Sequence, residues 1–470
     1  MLRVLRSHPS HFLSSLRFMS RSISLDATPP DYHILPSLST FNRDVFTKQF
    51  DILAVRAPAA KTGRILKAPE MKRSLMDLPK IRSVDVDPSD PQNNRLVLLR
   101  VSDKAELSPD ALKFLETEAK GLVPYTITLD YHYWTADEII RAVLPETLRD
   151  GAPSGFAATG HIAHLNLNDE YLPFKQLIGQ IILDKNKKIR TVVNKLDTID
   201  SQFRFFKMEL IAGEPDFVVE HLETECSFVF DFREVYWNSR LHTEHSRLVG
   251  KFNHDDVIAD VFAGVGPFSV PSAKKGCAVF ANDLNPNSAK YLATNVRNNR
   301  VDNLVSVSCE DGRDFIRSVF RRSSDHPFRA SMGPPLSKTQ EHHARRRKTK
   351  SNDLSPLRPP RRRISHFVMN LPDSAITFLD AFRGVLASDD AGGLREVYDV
   401  MPMVHCHCFT RELDPAKAEA DIRQRVEEQL GAALTTDVSL HLVRSVAPNK
   451  EMYCISFRLP SEVALSRSQR

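Results

Sequence analysis

The sequence predicts an α/β protein: a Rossmann-like cofactor domain preceded by an α+β domain and a small N-terminal domain. Three observations carry this. Short apolar runs recur at Val257, Cys277, Val305 and His366, each ending in a polar tip. The first two are joined by a glycine turn and a helical stretch, the order of a nucleotide-binding βαβ half. Before them, residues such as Ile162 to Leu167 alternate apolar and polar with the period of a half-buried strand.

The first run, Val257 to Ala259, ends at Asp260. Gly264 and Gly266 then let the backbone turn tightly and approach a ligand that a Cβ would block. Phe268 to Lys275 starts a helix. The second run, Cys277 to Ala281, ends at Asp283, about 20 residues on, where a carboxylate grips ribose hydroxyls. A dinucleotide site would place a third glycine near Ser269 or Val270; none is present, and Pro267 follows the turn. Asp260 would also repel a pyrophosphate, but it suits a cationic cofactor. S-adenosylmethionine, a sulfonium bearing an adenosine, therefore fits better than NAD, and an NAD-dependent dehydrogenase is a distant alternative. The third run, Val305 to Cys309, closes with Glu310-Asp311-Gly312, which would frame an adenine. The fourth, His366 to Met369, ends in Asn370-Leu371-Pro372. This sets an amide and rigid carbonyls over the crevice at the carboxyl ends of the strands. Each tip alone reads as an ordinary turn; their order along one sheet is the signal.

With 470 residues there is room for two or three domains. No run approaches the roughly 18 apolar residues of a membrane span. The six cysteines are scattered without a CxxC pair, as in a reduced protein with buried thiols. The net charge of +5 is unevenly held. Residues 1–30 carry four arginines and one acid, and residues 320–363 carry thirteen Lys/Arg and three acids, so the remainder is acidic. Nucleic acid would have to be met by local basic patches rather than a global field. Residues 1–24, rich in arginine and serine and free of acids, have the composition of a mitochondrial transit peptide. Residues 320–363 read as a disordered basic insertion, with Arg345 to Lys348 a possible import signal or phosphate contact.

Downstream, Ser374 to Leu386 reads as a helix, Arg395 to Phe409 carries a strand, and Pro415 to Leu430 is a helix. Val438 to Val443 and Met452 to Leu459 form a closing hairpin. Along His405-Cys406-His407-Cys408, alternation sends the histidines to one face and the cysteines to the other, so a core strand is expected and no metal. Upstream, Thr135 to Glu138 is a capping box opening a helix through Val143. Strands are expected at Ile162 to Leu167, Ile181 to Asp184, Thr191 to Val193, Phe228 to Phe232 and on through Val235 and Tyr236. These give an α+β domain over 132–248, ahead of a cofactor domain over 249–465. Leu96 to Val101 as a strand and Pro109 to Leu115 as a helix start outline a small domain over 31–130.

Several polar groups stand out before the glycine turn. Arg204, among Phe203, Phe205 and Phe206, is either paired with Glu209 or Glu214 or aimed at a ligand. His161 and His164 read as core or capping histidines. Glu244 reads as a helix-surface acid paired with Arg240 one turn back.

Six stretches in order resemble the eukaryotic and archaeal tRNA (guanine-37-N1)-methyltransferase family: GHIAHLNL (160–167), QFRFFKMELIAGE (202–214), YWNSRLHTEHSRLV (236–249), DVFAGVGPFS (260–269), NDLNP (282–286) and NLP (370–372). The resemblance covers residues 130–460; the basic insertion before NLP and the run Ser-Gly-Phe-Ala-Ala-Thr after Pro153 depart from it. It implies a class I methyltransferase domain with S-adenosylmethionine as cofactor, acting on N1 of the guanine next to the anticodon. By the same resemblance Glu244 is the base, Arg204 the cation at O6, Asn370 the residue that orients the base and Pro372 a wall of its pocket. His245, Asp283, Leu284, Asp311 and Gly312 would line the cofactor site with Asp260, Gly264, Gly266 and Asn370. The partner implied is tRNA, through anticodon stem-loop and body, with residues 31–130 checking its shape and a monomer as default. The alternatives are an aminocarboxypropyl transferase of wybutosine synthesis and a non-catalytic tRNA-binding protein. A mitochondrial matrix location, with nuclear and cytoplasmic pools, follows from residues 1–24.

Overall fold

The computed structural model describes residues 25–32, 41–153, 155–199, 206–331, 359–387 and 394–466. They divide into two compact units, residues 1–154 and 155–470.

The first unit is built on four antiparallel strands: β1 (Lys48–Pro58), β2 (Val84–Val86), β3 (Asn94–Leu98) and β4 (Gly121–Leu129), in the order β2-β3-β1-β4. Val55, Val97 and Leu99 pack against Ile65 from the helix Thr62–Lys67 and Ala111 and Leu115 from the helix Pro109–Glu118. The capping box forms: Thr135 Oγ1 accepts from the Glu138 amide at 3.3 Å, and Glu138 Oε2 accepts from the Thr135 amide at 2.7 Å. The helix it opens, Ala136–Val143, folds with this unit rather than with the strands that follow.

The second unit opens with a four-stranded sheet of β5 (Ala157–Thr159), β6 (Ile162–Leu165), β7 (Thr191–Ile199) and β8 (Phe206–Gly213), followed by the hairpin β9 (Val218–Glu223) and β10 (Cys226–Asp231). Two expected strands are absent. Ile181 to Asp184 belongs to the helix Lys175–Lys185, because Ile178, Ile181 and Ile182 share one helical face and bury it together. Val235 and Tyr236 lie beyond a turn in which Asp231 Oδ1 accepts from the Arg233 amide at 2.9 Å and ends β10.

Seven strands then form the main sheet: β11 (Val257–Asp260), β12 (Ala278–Asn282), β13 (Val305–Ser308), β14 (His366–Met369), β15 (Met403–Thr410), β16 (Ser439–Ala447) and β17 (Lys450–Arg458). Their order is β13-β12-β11-β14-β15-β17-β16, parallel except where β17 runs against both neighbours. β11 and β12 are buried along their whole length, which is why they read as unbroken apolar runs. One face packs on the helices Gly312–Asp325 and Pro415–Leu430 through Phe315, Val319, Ile422 and Val426. The other meets the helices His242–Gly250 and Pro286–Asn298 and strand β10 through Leu248, Leu292 and Phe230. On β15 the alternation holds: Cys406 and Cys408 join the first face, and His405 and His407 meet Phe252 and Phe268 on the second.

The helix expected at Ser374 to Leu386 is a 3₁₀ stretch, Ala375–Phe382, with Gly384 in a left-handed conformation just beyond it (φ 73°). The insertion is narrower than expected. Phe320 is buried in the core, and Phe328 and Arg361 exchange backbone hydrogen bonds of 3.2 and 2.9 Å. Arg361 also donates to the carbonyls of His254, Gly276 and Arg329. Its flanks are thus part of the fold, while 332–358 lies outside the described residues, as does 1–24. No helix among the described residues is long and apolar enough to cross a membrane.

Candidate active site

The site grows from the carboxyl ends of β11, β12, β13 and β14. Asp260 closes β11 in full burial; its Oδ2 accepts from Ser269 Oγ at 2.6 Å, and its Oδ1 has no hydrogen-bond partner. Burial pushes its carboxyl up to about 7, against the pull of Ser269 and with the help of Asp283. The turn that follows needs both glycines, for different reasons. Gly266 (φ 101°) is packed so tightly that a Cβ would lie 2.8 Å from Leu292 and 2.9 Å from Val270. Gly264 (φ 56°) faces open space, so a Cβ there would project where a ligand can enter.

Asp283 follows β12 and accepts from the Gly264 amide at 2.8 Å and the Asn285 amide at 2.9 Å, fixing the acidic tip to the glycine turn. The Ser288 hydroxyl adds a third donor to this carboxylate. Burial raises its carboxyl above the ordinary value. Leu284 beside it is 43% exposed, an apolar surface open at the crevice. Asp311 caps the helix Gly312–Asp325, accepting from the Arg313 amide at 2.8 Å, and a Cβ on Gly312 would strike Phe262 at 2.8 Å.

The sequence reading missed the residue that binds these tips together. Asn282, fully buried at the end of β12, donates to the carbonyls of Val261 (3.2 Å) and Glu310 (3.0 Å). It accepts from Ser308 Oγ (3.0 Å) and the Glu310 amide (3.1 Å). An amide closing an otherwise apolar strand was the available signal. The open Gly264, the orphaned Asp260 oxygen, the Asp283 carboxylate and exposed Leu284 suit a cationic adenosine cofactor: charge, ribose and base each find a matching group.

Asn370 stands at the tip of β14 with its Oδ1 buried and unpartnered. Pro372 is tethered to β15 where its carbonyl accepts from the Phe409 amide at 3.0 Å. Met369 pairs with Cys406, so Asn370, one step on, comes level with His407.

Glu244 is neither on a helix surface nor paired with Arg240. It is 3% exposed on the helix His242–Gly250, with Arg247, one turn on, donating to both oxygens at 2.6 and 2.7 Å. His407 Nε2 meets its Oε1 at 2.7 Å. Burial would raise the Glu244 carboxyl, but Arg247 and His407 outweigh it and hold it down at about 2. His407 is opposed by its burial, yet the Cys454 sulfur and the Glu244 carboxylate push it up to about 10. Strand register explains the cluster: His407 pairs with Cys454, and Cys454 with His441, so one row crosses β15, β17 and β16 beneath Glu244. His407, read from sequence only as a core histidine, is the hub. Its ring packs on Phe268, which follows the glycine turn, at 5.7 Å.

His245 is buried, its Nδ1 2.5 Å from Glu223 Oε1 and its ring edge on Phe268 at 4.8 Å. Arg204 lies outside the described residues. Of the carboxylates considered for it, Glu209 is bonded to Lys175 at 2.7 Å and Glu214 lies 3.7 Å from Arg190. His161 bridges to Asp216. His164 packs on Phe232; burial, with Lys195 and Arg240, pushes it down to about 3, so it is neutral. Among the described residues, Glu244, His407 and Cys454 bring three ligand atoms within 4.8 Å of one another. Arg247 already covers both Glu244 oxygens, so a metal would have to displace a guanidinium.

Comparison with known proteins agrees with this architecture. A profile described as the TRM5/TYW2 methyltransferase domain matches residues 219–326, and one for the TYW2 N-terminal domain matches residues 136–216. The tRNA (guanine(37)-N(1))-methyltransferase of Coprinopsis cinerea is 58% identical over 454 residues, covering 95% of this chain and 98% of that protein. Among solved structures, wild-type Trm5b from Pyrococcus abyssi superposes with a TM-score of 0.56 at 23% identity, over 87% of this chain and 99% of that one. A complex described as aTrm5 with tRNALeu gives 0.54 at 19% identity, over 87% and 100%. These two likenesses concern the fold alone. The chain belongs to the tRNA (guanine(37)-N(1))-methyltransferase family, class I enzymes with S-adenosylmethionine as cofactor.

Proposed function

We propose that this chain methylates N1 of guanine 37 in tRNA, with Glu244 as the base and Arg204 as the cation at O6. The cofactor supplies an activated methyl group; the chain's residues prepare the nucleophile. Guanine N1 carries a proton at neutral pH, and it can attack only as that proton leaves. Glu244, held ionised by Arg247 and His407, is able to accept it. Arg204 would meet the negative charge developing on O6. The buried Asn370 Oδ1 offers an acceptor to the base's N–H groups, and Pro372 stiffens the wall beside it. Asp260, Gly264, Gly266, Asp283, Leu284, Asp311, Gly312 and His245 would form the cofactor site. The observation that carries the reading is the strand register that sets the unpartnered Asn370 Oδ1 level with the histidine holding Glu244.

The partner would be the anticodon stem-loop, whose unstacked bases enter a pocket at modest cost, with residues 31–130 checking the tRNA body. The arginine- and serine-rich residues 1–24 would direct the protein to the mitochondrial matrix, with nuclear and cytoplasmic pools; a reporter fused to residues 1–30 that stays cytosolic overturns the mitochondrial part. Aminocarboxypropyl transfer is the second reading, favoured by the N-terminal match at residues 136–216.

Single-turnover reaction with an unmodified transcript bearing guanine 37 separates these. N1-methylguanine from the parent, with a loss on the order of 10²-fold or more in Glu244→Gln, is expected. A product heavier by an aminocarboxypropyl group would establish the second reading instead.

A further inference from the structure

Glu244 poses a problem of proton traffic. Its side chain is 2% exposed, and both oxygens already accept hydrogen bonds: Oε2 from Arg247 Nε, Oε1 from Arg247 Nη2 and His407 Nε2. A proton arriving on this carboxylate from guanine N1 faces two cations. It cannot stay, because a group held this far below its ordinary value releases a proton at once, and neither cation can take it.

The groups facing Glu244 come from four elements. Its own helix contributes Arg247; β15 contributes His407; β17 contributes Cys454; β16 contributes His441. Lys251, just past that helix, adds positive charge toward His441. Arg247 and Lys251 also reach solvent, but as cations without a free lone pair; His441 is the exposed group that can both accept a proton and give it up. Its Nε2 lies 3.8 Å from Glu244 Oε2, and its side chain is 47% exposed. It sits on β16, the edge strand of the sheet, in the same cross-strand row as His407 and Cys454. Burial and the charges of Arg247, Lys251 and His407 lower it below its ordinary value, only partly countered by Glu244, so its ring keeps a free lone pair.

We infer that His441 is a relay that carries to solvent the proton Glu244 takes from guanine N1. The inference rests on the assignment of Glu244 as base. The N1–H bond breaks, leaving its electron pair on N1, and the proton bonds to Glu244 Oε2. That O–H bond then breaks toward His441 Nε2 after a small swing of the half-exposed ring, the imidazolium passes a proton to water, and the N1 pair forms the N–C bond as the methyl–sulfur bond of S-adenosylmethionine breaks to leave a thioether. Glu244 and His441 end the cycle as they began.

The test is single-turnover methylation of a guanine-37 transcript by the full chain at saturating S-adenosylmethionine, comparing His441→Ala, His441→Gln and Glu244→Gln, with and without added imidazole. His441 is half-exposed, so its replacement spares the core. Expected is a rate loss on the order of tenfold in His441→Ala, with tRNA and cofactor dissociation constants unchanged. Imidazole should restore the rate in proportion to its free-base fraction, a response that a merely structural role would not give. His441→Gln, which keeps a polar side chain but cannot relay, should stay slow without imidazole. A full rate in His441→Ala with a slow Glu244→Gln overturns the relay and leaves the base. A loss that imidazole does not repair, accompanied by weaker tRNA binding, also overturns it. A full rate in Glu244→Gln overturns the base assignment, and with it the relay, whatever His441→Ala does.

Discussion

His405 and His407 lie two residues apart on one face of β15, both buried, yet one is neutral and the other charged. His405 meets Ser456 Oγ at 2.7 Å and His366 Nδ1 at 3.1 Å, and the His366 ring stacks on it at 5.3 Å. None of these partners offers it a negative charge. Burial drives it well below its ordinary value, with His366, Lys251, His407 and Arg247 pushing the same way. His407 meets burial too, but a carboxylate 2.7 Å away and the Cys454 sulfur reverse the outcome. Desolvation penalises both imidazolium ions alike; the partner decides which is charged. One strand face thus holds a neutral, structural histidine beside a charged one that fixes the candidate base.

The harshest way to break the comparison is to replace each ring by an apolar one. His407→Leu removes one partner of a buried charged cluster and is expected to cost about 3–5 kcal/mol. His405→Leu strands neutral hydrogen-bonding groups and should cost about 1–3 kcal/mol. Denaturant unfolding of both variants checks the order, and equal losses would mean that the two sites do not differ in charge.

A finer test uses pH. His407 titrates near 10 when folded, above its unfolded value, so its stabilisation is complete below about pH 6.5 and is lost as pH rises toward 10. His405 is depressed, so the cost of keeping it neutral is felt below about pH 6.5 and vanishes above it. Relative to its own Leu variant, the parent should therefore lose up to about 1.4 kcal/mol per pH unit above 6.5 through His407. Through His405 it should gain at most the same slope below 6.5. Slopes of one sign would refute the assignment of one neutral and one charged ring.

The smallest effect extends the contrast to Asp260, a carboxylate that burial raises to about 7 despite the pull of Ser269 and of the His407 charge. A cationic cofactor favours its ionised form, so affinity for S-adenosylmethionine should rise about tenfold from pH 6 to pH 8 with release of a proton. Calorimetry in buffers of different ionisation enthalpy reads both, and Asp260→Asn should flatten the dependence.

Much of this fold could be read in the chain because its strands are short and fully buried. Val257 to Asp260 and Ala278 to Asn282 have no solvent side to break their apolar runs, and their tips carry the acids and glycines a ligand needs. Ile181 to Asp184 misled because a buried helix and a buried strand give the same short apolar run; only the spacing to Ile178 separates them. The Glu244 cluster was out of reach for another reason. Glu244 and His407 are 163 residues apart, and only the pairing of β15, β17 and β16 brings the row beneath the helix. Local alternation placed His407 on the correct face but could not say what stood opposite.

The short bridge between Phe328 and Arg361 has a consequence for how this gene can change. The chain departs from the sheet and returns to it through a neck closed by two backbone hydrogen bonds and pinned by the Arg361 guanidinium. The register of β14 is set by the residues on this side of the neck. Doubling the length of a flexible loop costs only about 0.6 kcal/mol of closure entropy. The neck works as a docking port in the architectural sense: sequence can be spliced in or cut away there, and the catalytic crevice is left undisturbed.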